Sequence, residues 1–251
     1  MYFRRSTSDI FNERAEDILI VVENVNVMYA GNVVLKNISL VLGKGLHLLI
    51  GKNGSGKSTL LKTIAGIVKP SRGRVTVFDR DIHKLSRKEA VKLVGYVWQN
   101  PYAGFLEVSV KDELEFSERI AGSSLNWEIV EILIPKNLFN RSPFTLSGGE
   151  AKRVSIASIL ALDQPVWLLD EPFDYLDSEG VEAVLKVIEY GLEKRKVIVV
   201  ASANTAYFHM LRVDSVFLLY NGEMVFEGKI EDLNNYLLKK FGVPSKAMMC
   251  G

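Results

Sequence analysis

The feature that most constrains the fold is a glycine-rich segment, Gly-Lys-Asn-Gly-Ser-Gly-Lys-Ser-Thr, at residues 51–59. Two glycines with four residues between them, followed by lysine and serine, form a pattern in which backbone N–H groups surround phosphate oxygens. The apolar residues 45–50 predict a buried strand, and the residues from Ser58 onward predict a helix with one apolar face. Strand, loop and helix in this order predict a binding site for a nucleoside triphosphate. The alternative is a glycine-rich turn that matches the pattern by chance.

The side chains of this loop have separate expected tasks. Lys57 would place a positive charge beside the β- and γ-phosphates, and the hydroxyl of Ser58 would ligate Mg²⁺. The glycines allow the backbone to curve closely around the phosphates. The loop residues that we expect to contact the nucleotide are Asn53, Gly54, Ser55, Gly56, Lys57, Ser58 and Thr59.

Apolar strands alternate with helices along most of the chain, which predicts an α/β fold with a mostly parallel core sheet. Other segments have the turns and spacing of antiparallel hairpins. These segments are a strand at residues 18–22, extended stretches at 24–29 and 33–41 around a turn at 30–32, and a hairpin around Asn221-Gly222.

We expect a single domain over residues 1–251. A mostly helical subdomain is predicted at about residues 100–163, inserted in the α/β core, because helical patterns recur there without a clear strand. The polar, irregular residues 1–17 predict a loose N-terminal arm. A final amphipathic helix is predicted at residues 230–241.

The composition assigns no partner by itself. With 31 Lys+Arg against 30 Asp+Glu, the formal net charge is +1, so the charge balance does not indicate nucleic acid or an anionic membrane surface. Cys250 is the one cysteine, which excludes an internal disulfide and suits a reducing compartment. No apolar stretch approaches the roughly 20 residues that span a bilayer. We therefore expect a cytoplasmic chain that would work at a membrane only as a peripheral subunit on its inner face.

Two adjacent carboxylates end a predicted apolar strand, Val-Trp-Leu-Leu-Asp-Glu, at residues 166–171. Ligands bind at the carboxyl ends of the strands in open parallel sheets. Asp170 would hold Mg²⁺, directly or through water, and Glu171 would accept a proton from the attacking water. The alternative is an acidic pair that caps the next helix.

A second candidate anion site is Leu-Ser-Gly-Gly-Glu at residues 146–150, which begins a predicted helix. The hydroxyl of Ser147 and the backbone N–H groups of Gly148, Gly149 and Glu150 would converge at the helix N-terminus, where anions are favoured. Because the chain has one Lys-Ser pair and two such loops, we expect this loop to bind the γ-phosphate of ATP held by another subunit. The alternative is an ordinary serine cap.

Together these segments resemble an ATP-binding cassette (ABC) ATPase over about residues 18–232. Five motifs occur in the order of that family. They are the Walker A loop (51–59), the Q-loop glutamine (Gln99), the signature (146–150), Walker B (166–171) and the D-loop (175–177).

The resemblance implies a head-to-tail pair of ATPase domains, in which each ATP lies between the Walker A loop of one subunit and the signature of the other. In that family, Gln99 would contact Mg²⁺ or water and relay the nucleotide state to a membrane partner. Asp177 would join the nucleotide contacts. Tyr29 falls where the family stacks an aromatic ring on adenine, with a plain strand-edge tyrosine as the alternative.

Residues 94–116 particularly resemble the ATPases of energy-coupling-factor importers, which take up vitamins or transition-metal ions. Those usually have Asn-Pro-x-x-Gln after the Q-loop, whereas Gly104 stands at the last position here. The resemblance implies a transmembrane subunit that docks near the Q-loop, in a groove lined by Tyr102, Phe105 and Leu106. The alternatives are another ABC importer or exporter, or a soluble ABC ATPase of an assembly pathway such as iron–sulfur scaffold formation.

The chain departs from the family at two positions. Ser202 stands where the family has a histidine that contacts the γ-phosphate, and loss of such a donor costs about 10²- to 10³-fold in rate. Glu150 stands where the signature usually has glutamine. We therefore expect a heterodimer with a homologous ATPase, in which the site on Lys57 binds ATP but turns over slowly.

Overall fold

The computed structural model describes residues 18–204, 207–208 and 211–244. The predicted N-terminal arm, residues 1–17, and Cys250 lie outside these ranges.

The strands are β1 (Ile18–Tyr29), β2 (Asn32–Gly43), β3 (Gly45–Ile50), β4 (Arg72–Val77), β5 (Arg80–Asp81), β6 (Val94–Val97), β7 (Val166–Asp170), β8 (Val197–Ser202), β9 (Ser215–Tyr220) and β10 (Glu223–Gly228). The helices are α1 (Lys57–Ile64), α2 (Arg87–Leu93), α3 (Val110–Ala121), α4 (Trp127–Leu133), α5 (Gly148–Leu160), α6 (Ser178–Glu193) and α7 (Asn235–Lys240).

The core sheet has the strand order β10-β9-β3-β8-β7-β6. All of its neighbouring strands run parallel except β9 and β10, which form the predicted hairpin. Parallel strands joined through helices are buried on both faces, and β7 and β8 are accordingly buried along their whole length. The predicted α/β fold with a mostly parallel core sheet is confirmed.

A second, antiparallel sheet has the order β2-β1-β4-β5. The prediction of separate strands at 18–22 and 24–29 is wrong, because β1 is one strand paired with β2 from Ile18 opposite Gly43 to Tyr29 opposite Asn32. Irregular register between Val22 and Val25 accommodates the polar residues that suggested a break.

Successive residues of the core strands face two separate hydrophobic cores, as the two-residue period of a strand requires. In β3, Leu48 packs into the core formed with helices α3 to α6, while Leu49 packs into the core formed with α1 and the antiparallel sheet. Helices α3, α4 and α5 all lie between β6 and β7 in the chain, where the sequence predicts the helical subdomain. The core sheet is therefore held on both sides, which fixes the ends of its strands.

The final helix is shorter than predicted. Residues Ile230–Asp232 form a 3₁₀ turn, and α7 covers only Asn235–Lys240. The side chain of Asn234 accepts a hydrogen bond from the N–H of Leu237 at 2.9 Å, so this asparagine caps the helix and sets its start. The continuous apolar periodicity of the segment did not reveal that cap.

Candidate nucleotide site

The predicted phosphate loop joins the end of β3 to the start of α1. Gly56 precedes the helix with a φ of 107°, a conformation that favours glycine. A Cβ on Gly51 would lie 2.4 Å from the carbonyl oxygen of Leu219 and 2.6 Å from Ser55 Oγ, so no larger residue fits there. Asn53 and Gly54 are exposed at the top of the loop, and Ser58 and Thr59 are half-buried in the first turn of α1.

Lys57 is folded back into its own loop. Its Nζ donates to the carbonyl oxygen of Gly51 at 2.8 Å and lies 3.3 Å from Glu171 Oε1. Its side chain is only 5% exposed. The ammonium is therefore placed inside the curve of the loop, beside the predicted base.

Four functional segments meet at one edge of the core sheet. The loop follows β3, Ser202 ends β8, Asp170 ends β7, and Gln99 follows β6 by two residues. These four strands are consecutive neighbours and parallel, so their carboxyl ends lie side by side. The structure thus brings Lys57, Asp170, Glu171, Gln99 and Ser202 to the same edge, as expected for ligand sites in open α/β sheets.

Asp170 is held by a tyrosine that the sequence analysis did not single out. The O–H of Tyr96, on β6, donates to Asp170 Oδ2 at 2.9 Å. Burial and the neighbouring carboxylate raise the pKa of Tyr96 well above its usual range, so the phenol stays a donor. Asp170 Oδ1 is buried without a hydrogen-bond partner among the residues that the structure describes.

Glu171 has a backbone φ of 45°, in the left-handed region that is uncommon for this residue type. The N–H of Ala203 donates to its Oε1 at 2.8 Å and to its Oε2 at 3.1 Å. Burial raises the pKa of Glu171, opposed by the charge of Lys57 and a hydrogen bond from Ser202. A carboxylate with a raised pKa is a stronger proton acceptor, which suits the predicted role.

The arrangement fits a magnesium–nucleotide complex. Buried polar atoms almost always have partners, yet Ser55 Oγ and Asp170 Oδ1 have none within the described ranges. Both belong to the segments predicted to hold phosphate and metal. The N-terminus of α1 adds free backbone N–H groups, which favour anions. Ser58, Gln99 and Asp170 would supply the oxygen ligands that Mg²⁺ prefers.

The signature segment forms a complete capping box at the start of α5. Ser147 Oγ accepts from the N–H of Glu150 at 3.2 Å, and Glu150 Oε2 accepts from the N–H of Ser147 at 2.8 Å. Arg141 Nη1 donates to Glu150 Oε1 at 3.1 Å. These contacts lower the pKa of Glu150, and they direct its charge toward Arg141 and the cap.

The D-loop packs on the signature glycines. A Cβ on Gly148 would lie 3.3 Å from the Tyr175 side chain, and one on Gly149 would lie 3.0 Å from the Tyr175 carbonyl oxygen. Asp177 caps α6 by accepting from the N–H of Gly180 at 2.8 Å. These glycines therefore allow two predicted nucleotide-contact segments to touch within one chain.

Two further residues predicted to contact the nucleotide, Gln99 and Tyr29, have exposed side chains. Gln99 is exposed just after β6, and its backbone carbonyl accepts from Lys152 Nζ at 2.9 Å. Tyr29 ends β1 in the antiparallel sheet and is 46% exposed. An accessible aromatic ring is compatible with stacking on a base, and the adenine contact of Tyr29 stays a prediction.

Sequence reasoning missed Tyr96 and Lys152. Tyr96 is the one polar side chain in the apolar strand Val94–Val97, which was a detectable signal. Lys152 is fully buried, and the residues that follow it by one turn on the same face of α5 are buried as well. Charged residues are rarely buried without partners, so a lysine at such a position indicates a polar contact.

The strand-end geometry, the phosphate loop and the carboxylate pair define an α/β nucleoside triphosphatase. The family described as ABC transporter matches residues 35–174. The chain is 38% identical over 219 residues to a putative ABC transporter ATP-binding protein of Pyrococcus furiosus, covering 84% of this chain and 83% of that protein. The chain therefore belongs to the ABC transporter family, as an ATPase that uses ATP with Mg²⁺.

Further comparisons agree with this assignment. The chain is 35% identical over 240 residues to an energy-coupling factor transporter ATP-binding protein of Fusobacterium nucleatum, covering 88% of each. A solved dimeric ATP-binding cassette, in a post-hydrolysis state with ADP and Pi, has a TM-score of 0.73 at 25% identity, covering 84% of this chain and 99% of that one. Within the described part of the chain, the helices are too short or too polar to cross a bilayer.

Proposed function

We propose that this chain is the ATP-hydrolysing subunit of an energy-coupling-factor importer and pairs head to tail with a second, homologous ATPase. The observation that carries the proposal is the setting of Glu171. Its carboxylate meets Lys57, Ser202 and the N–H of Ala203, and the contact from Ser202 puts a short hydroxyl at the end of β8, where the family has a long donor. The proposed location is the inner face of the cell membrane.

Each residue at the strand ends has a separate step in hydrolysis. Lys57 holds the β- and γ-phosphates, while Ser58, Asp170 and Gln99 orient the metal. Mg²⁺ held by these residues would supply positive charge against the charge that develops on the phosphate oxygens. Glu171 accepts a proton from the attacking water, because its raised pKa makes it a competent base.

The site on Lys57 would turn over slowly. Ser202 ends β8 and is only 5% exposed, and its hydroxyl already bonds the carboxylate of Glu171. A serine at this point has no second long donor to extend toward a γ-phosphate. Loss of one such donor costs about 10²- to 10³-fold in rate.

The second ATP site of the proposed pair uses the start of α5. Ser147 and Glu150 form their capping box within this chain, so the N-terminal turn is fixed before any partner arrives. Because Arg141 and the cap engage the Glu150 carboxylate, the N–H groups of Gly148 and Gly149 remain the anion-facing groups of the turn. This turn would complete the partner's Walker A site, where most hydrolysis would occur.

A membrane subunit would dock beside the Q-loop. A cavity of about 590 Å³ lies between the helices and the core sheet, with apolar walls that include Trp98, Phe105, Phe116 and Ile120. We propose an amphipathic helix of the transmembrane subunit as its occupant, because the cavity is continuous with the segment that follows Gln99.

The predicted lining of this groove is partly wrong. Of Tyr102, Phe105 and Leu106, only Phe105 lines the cavity. The O–H of Tyr102 instead donates to the Leu146 carbonyl oxygen at 3.0 Å, and Leu106 is 69% exposed. Tyr102 thus connects the Q-loop segment to the signature, and Leu106 adds exposed apolar surface next to it.

The experiment that tests the proposal compares this chain alone with the reconstituted pair. Alone, the chain should bind ATP and hydrolyse it poorly; mixed with its partner ATPase, it should gain activity. In the pair, Lys57→Ala in this chain should leave most of the rate, whereas Ser147→Arg, which blocks the shared turn, should remove most of it.

A homodimer of this chain with robust turnover that Glu171→Gln abolishes would refute the proposed asymmetry. Purification from membranes tests whether this chain works together with a transmembrane subunit. Recovery with an integral membrane protein supports the transport role. Recovery without one, together with full ATPase activity, would favour an ABC ATPase of an assembly pathway.

A further inference from the structure

One buried lysine outside the motifs contacts two segments of the nucleotide site, the one after β6 and the end of β7. Lys152 lies in the second turn of α5 and is 0% exposed. Its Nζ donates to the carbonyl oxygens of Trp98 at 3.0 Å and Gln99 at 2.9 Å, and it lies 3.4 Å from that of Asp170. Three acceptors match the three donors of an ammonium group.

Such a position is costly for a lysine. Transfer of an ammonium group from water into a protein interior is unfavourable unless every donor is satisfied. Lys152 meets this condition with backbone carbonyls. Burial lowers the pKa of its ammonium to about 8, and the negative charges of Asp174, Asp170 and Glu171 oppose that shift. The charge is therefore stabilised by the loops of the nucleotide site and not by solvent.

The three carbonyls belong to loops that would respond to nucleotide. Trp98 and Gln99 follow β6, and Asp170 ends β7. Lys152 itself is on α5, and the cap of that helix, Ser147, stands five residues earlier, which corresponds to about 7.5 Å along the axis. A rigid helix of that length transmits a shift at Lys152 to its own N-terminus.

We propose that Lys152 is a positioning residue that couples the magnesium-binding segments of this chain to the signature turn. It fixes the peptides after β6 and β7 relative to α5. Binding of Mg²⁺ with nucleotide at Asp170 and Gln99 thereby shifts the turn that serves the other ATP site. The inference rests on the proposed function, because it assumes that the signature turn serves a second site.

The test compares Lys152→Gln with a matched control, Lys196→Gln. Lys196 is also a buried lysine, and its Nζ donates to the carbonyl oxygens of Asp163 and Gln164, both at 2.9 Å, before the start of β7. Both changes remove a charge that binds backbone carbonyls, so both should lower the urea midpoint. Glutamine retains two donors, which protects the fold better than methionine would.

Two measurements separate coupling from simple stabilisation, both on the full chain at concentrations where sedimentation shows a monomer. The first is the affinity for a fluorescent ATP analogue with EDTA and with Mg²⁺. In EDTA, Lys152→Gln should change the affinity for the analogue by less than about twofold. The factor by which Mg²⁺ raises that affinity should be about tenfold smaller than in the wild type, because one charge-assisted contact is worth about that much. Lys196→Gln should keep the whole gain.

The second measurement is hydrogen exchange of residues 147–160. In the wild type and in Lys196→Gln, Mg²⁺ with nucleotide should slow exchange there. In Lys152→Gln the slowing should be lost, while slowing in residues 51–58 remains. Equal behaviour of the two glutamine variants in both measurements would overturn the proposal. A wild-type chain that binds no nucleotide would instead overturn the proposed function.

Discussion

Replacement of Tyr96 by phenylalanine tests whether the tyrosine holds Asp170, the carboxylate that we propose as a magnesium ligand. The variant keeps the aromatic ring, and with it the edge-on contact with Trp98 at 4.9 Å between ring centroids. It removes only the O–H that donates to Asp170 Oδ2 at 2.9 Å. Asp170 is 1% exposed, so water has little access to the oxygen that loses its donor.

The expected loss follows from the charge and burial of that acceptor. A hydrogen bond to a charged group contributes about 1.5–3 kcal/mol, and a buried acceptor left without a donor costs about as much. We expect the free energy of unfolding to fall by about 2 kcal/mol in the absence of nucleotide. For a chain of this length, that corresponds to about 4–8 °C in Tm.

The assay is urea unfolding followed by circular dichroism, with Tyr190→Phe as the matched control. The hydroxyl oxygen of Tyr190 accepts a hydrogen bond from Asn126 Nδ2 at 2.6 Å, a neutral contact at a half-buried position. Removal of this neutral contact should cost about 1 kcal/mol or less. If Tyr96→Phe costs no more than Tyr190→Phe, the buried carboxylate does not depend on the phenol and the reasoning is refuted.

Three further changes have defined outcomes. Gly191→Ala would place a Cβ 2.4 Å from the Trp167 ring, so calorimetry should show a loss of about 1–3 kcal/mol. Burial lowers the pKa of His47 below its ordinary value of 6.5, so the stability that this residue gives above pH 6.5 is lost as the pH falls toward the folded pKa. His47→Gln should reduce the difference in unfolding free energy between urea titrations at pH 5.5 and 7.5. An unchanged difference would contradict this prediction. Ser147→Ala removes the cap of α5 and should cost about 1 kcal/mol by thermal unfolding, whereas Ser71→Ala in a surface turn should cost less.

The sequence indicated where three segments of the candidate site lie because each of them stands at the end of a strand. The phosphate loop, Asp170 and Ser202 end neighbouring parallel strands, and an apolar run followed by polar residues marks such a point without any knowledge of distant contacts. The register of the strands then brings these ends together.

The parts that the sequence did not predict depend on contacts between distant residues. Tyr96 and Asp170 are 74 residues apart, and Lys152 meets the Gln99 carbonyl 53 residues away. A local pattern can mark such a side chain as buried, but it does not identify the distant residue that the side chain contacts. The prediction of a break between residues 22 and 24 was wrong for a similar reason, because pairing with β2 accommodates the polar residues as an irregularity in the register of β1.

The ion pair between Lys57 and Glu171 bears on the order in which these two groups would act. The two charges neutralise each other, 3.3 Å apart and less than a tenth exposed. In the proposed mechanism, a triphosphate bound to the ammonium of Lys57 would compete with Glu171, and the carboxylate would then become available to water. The proposed base would therefore become available only after nucleotide has bound.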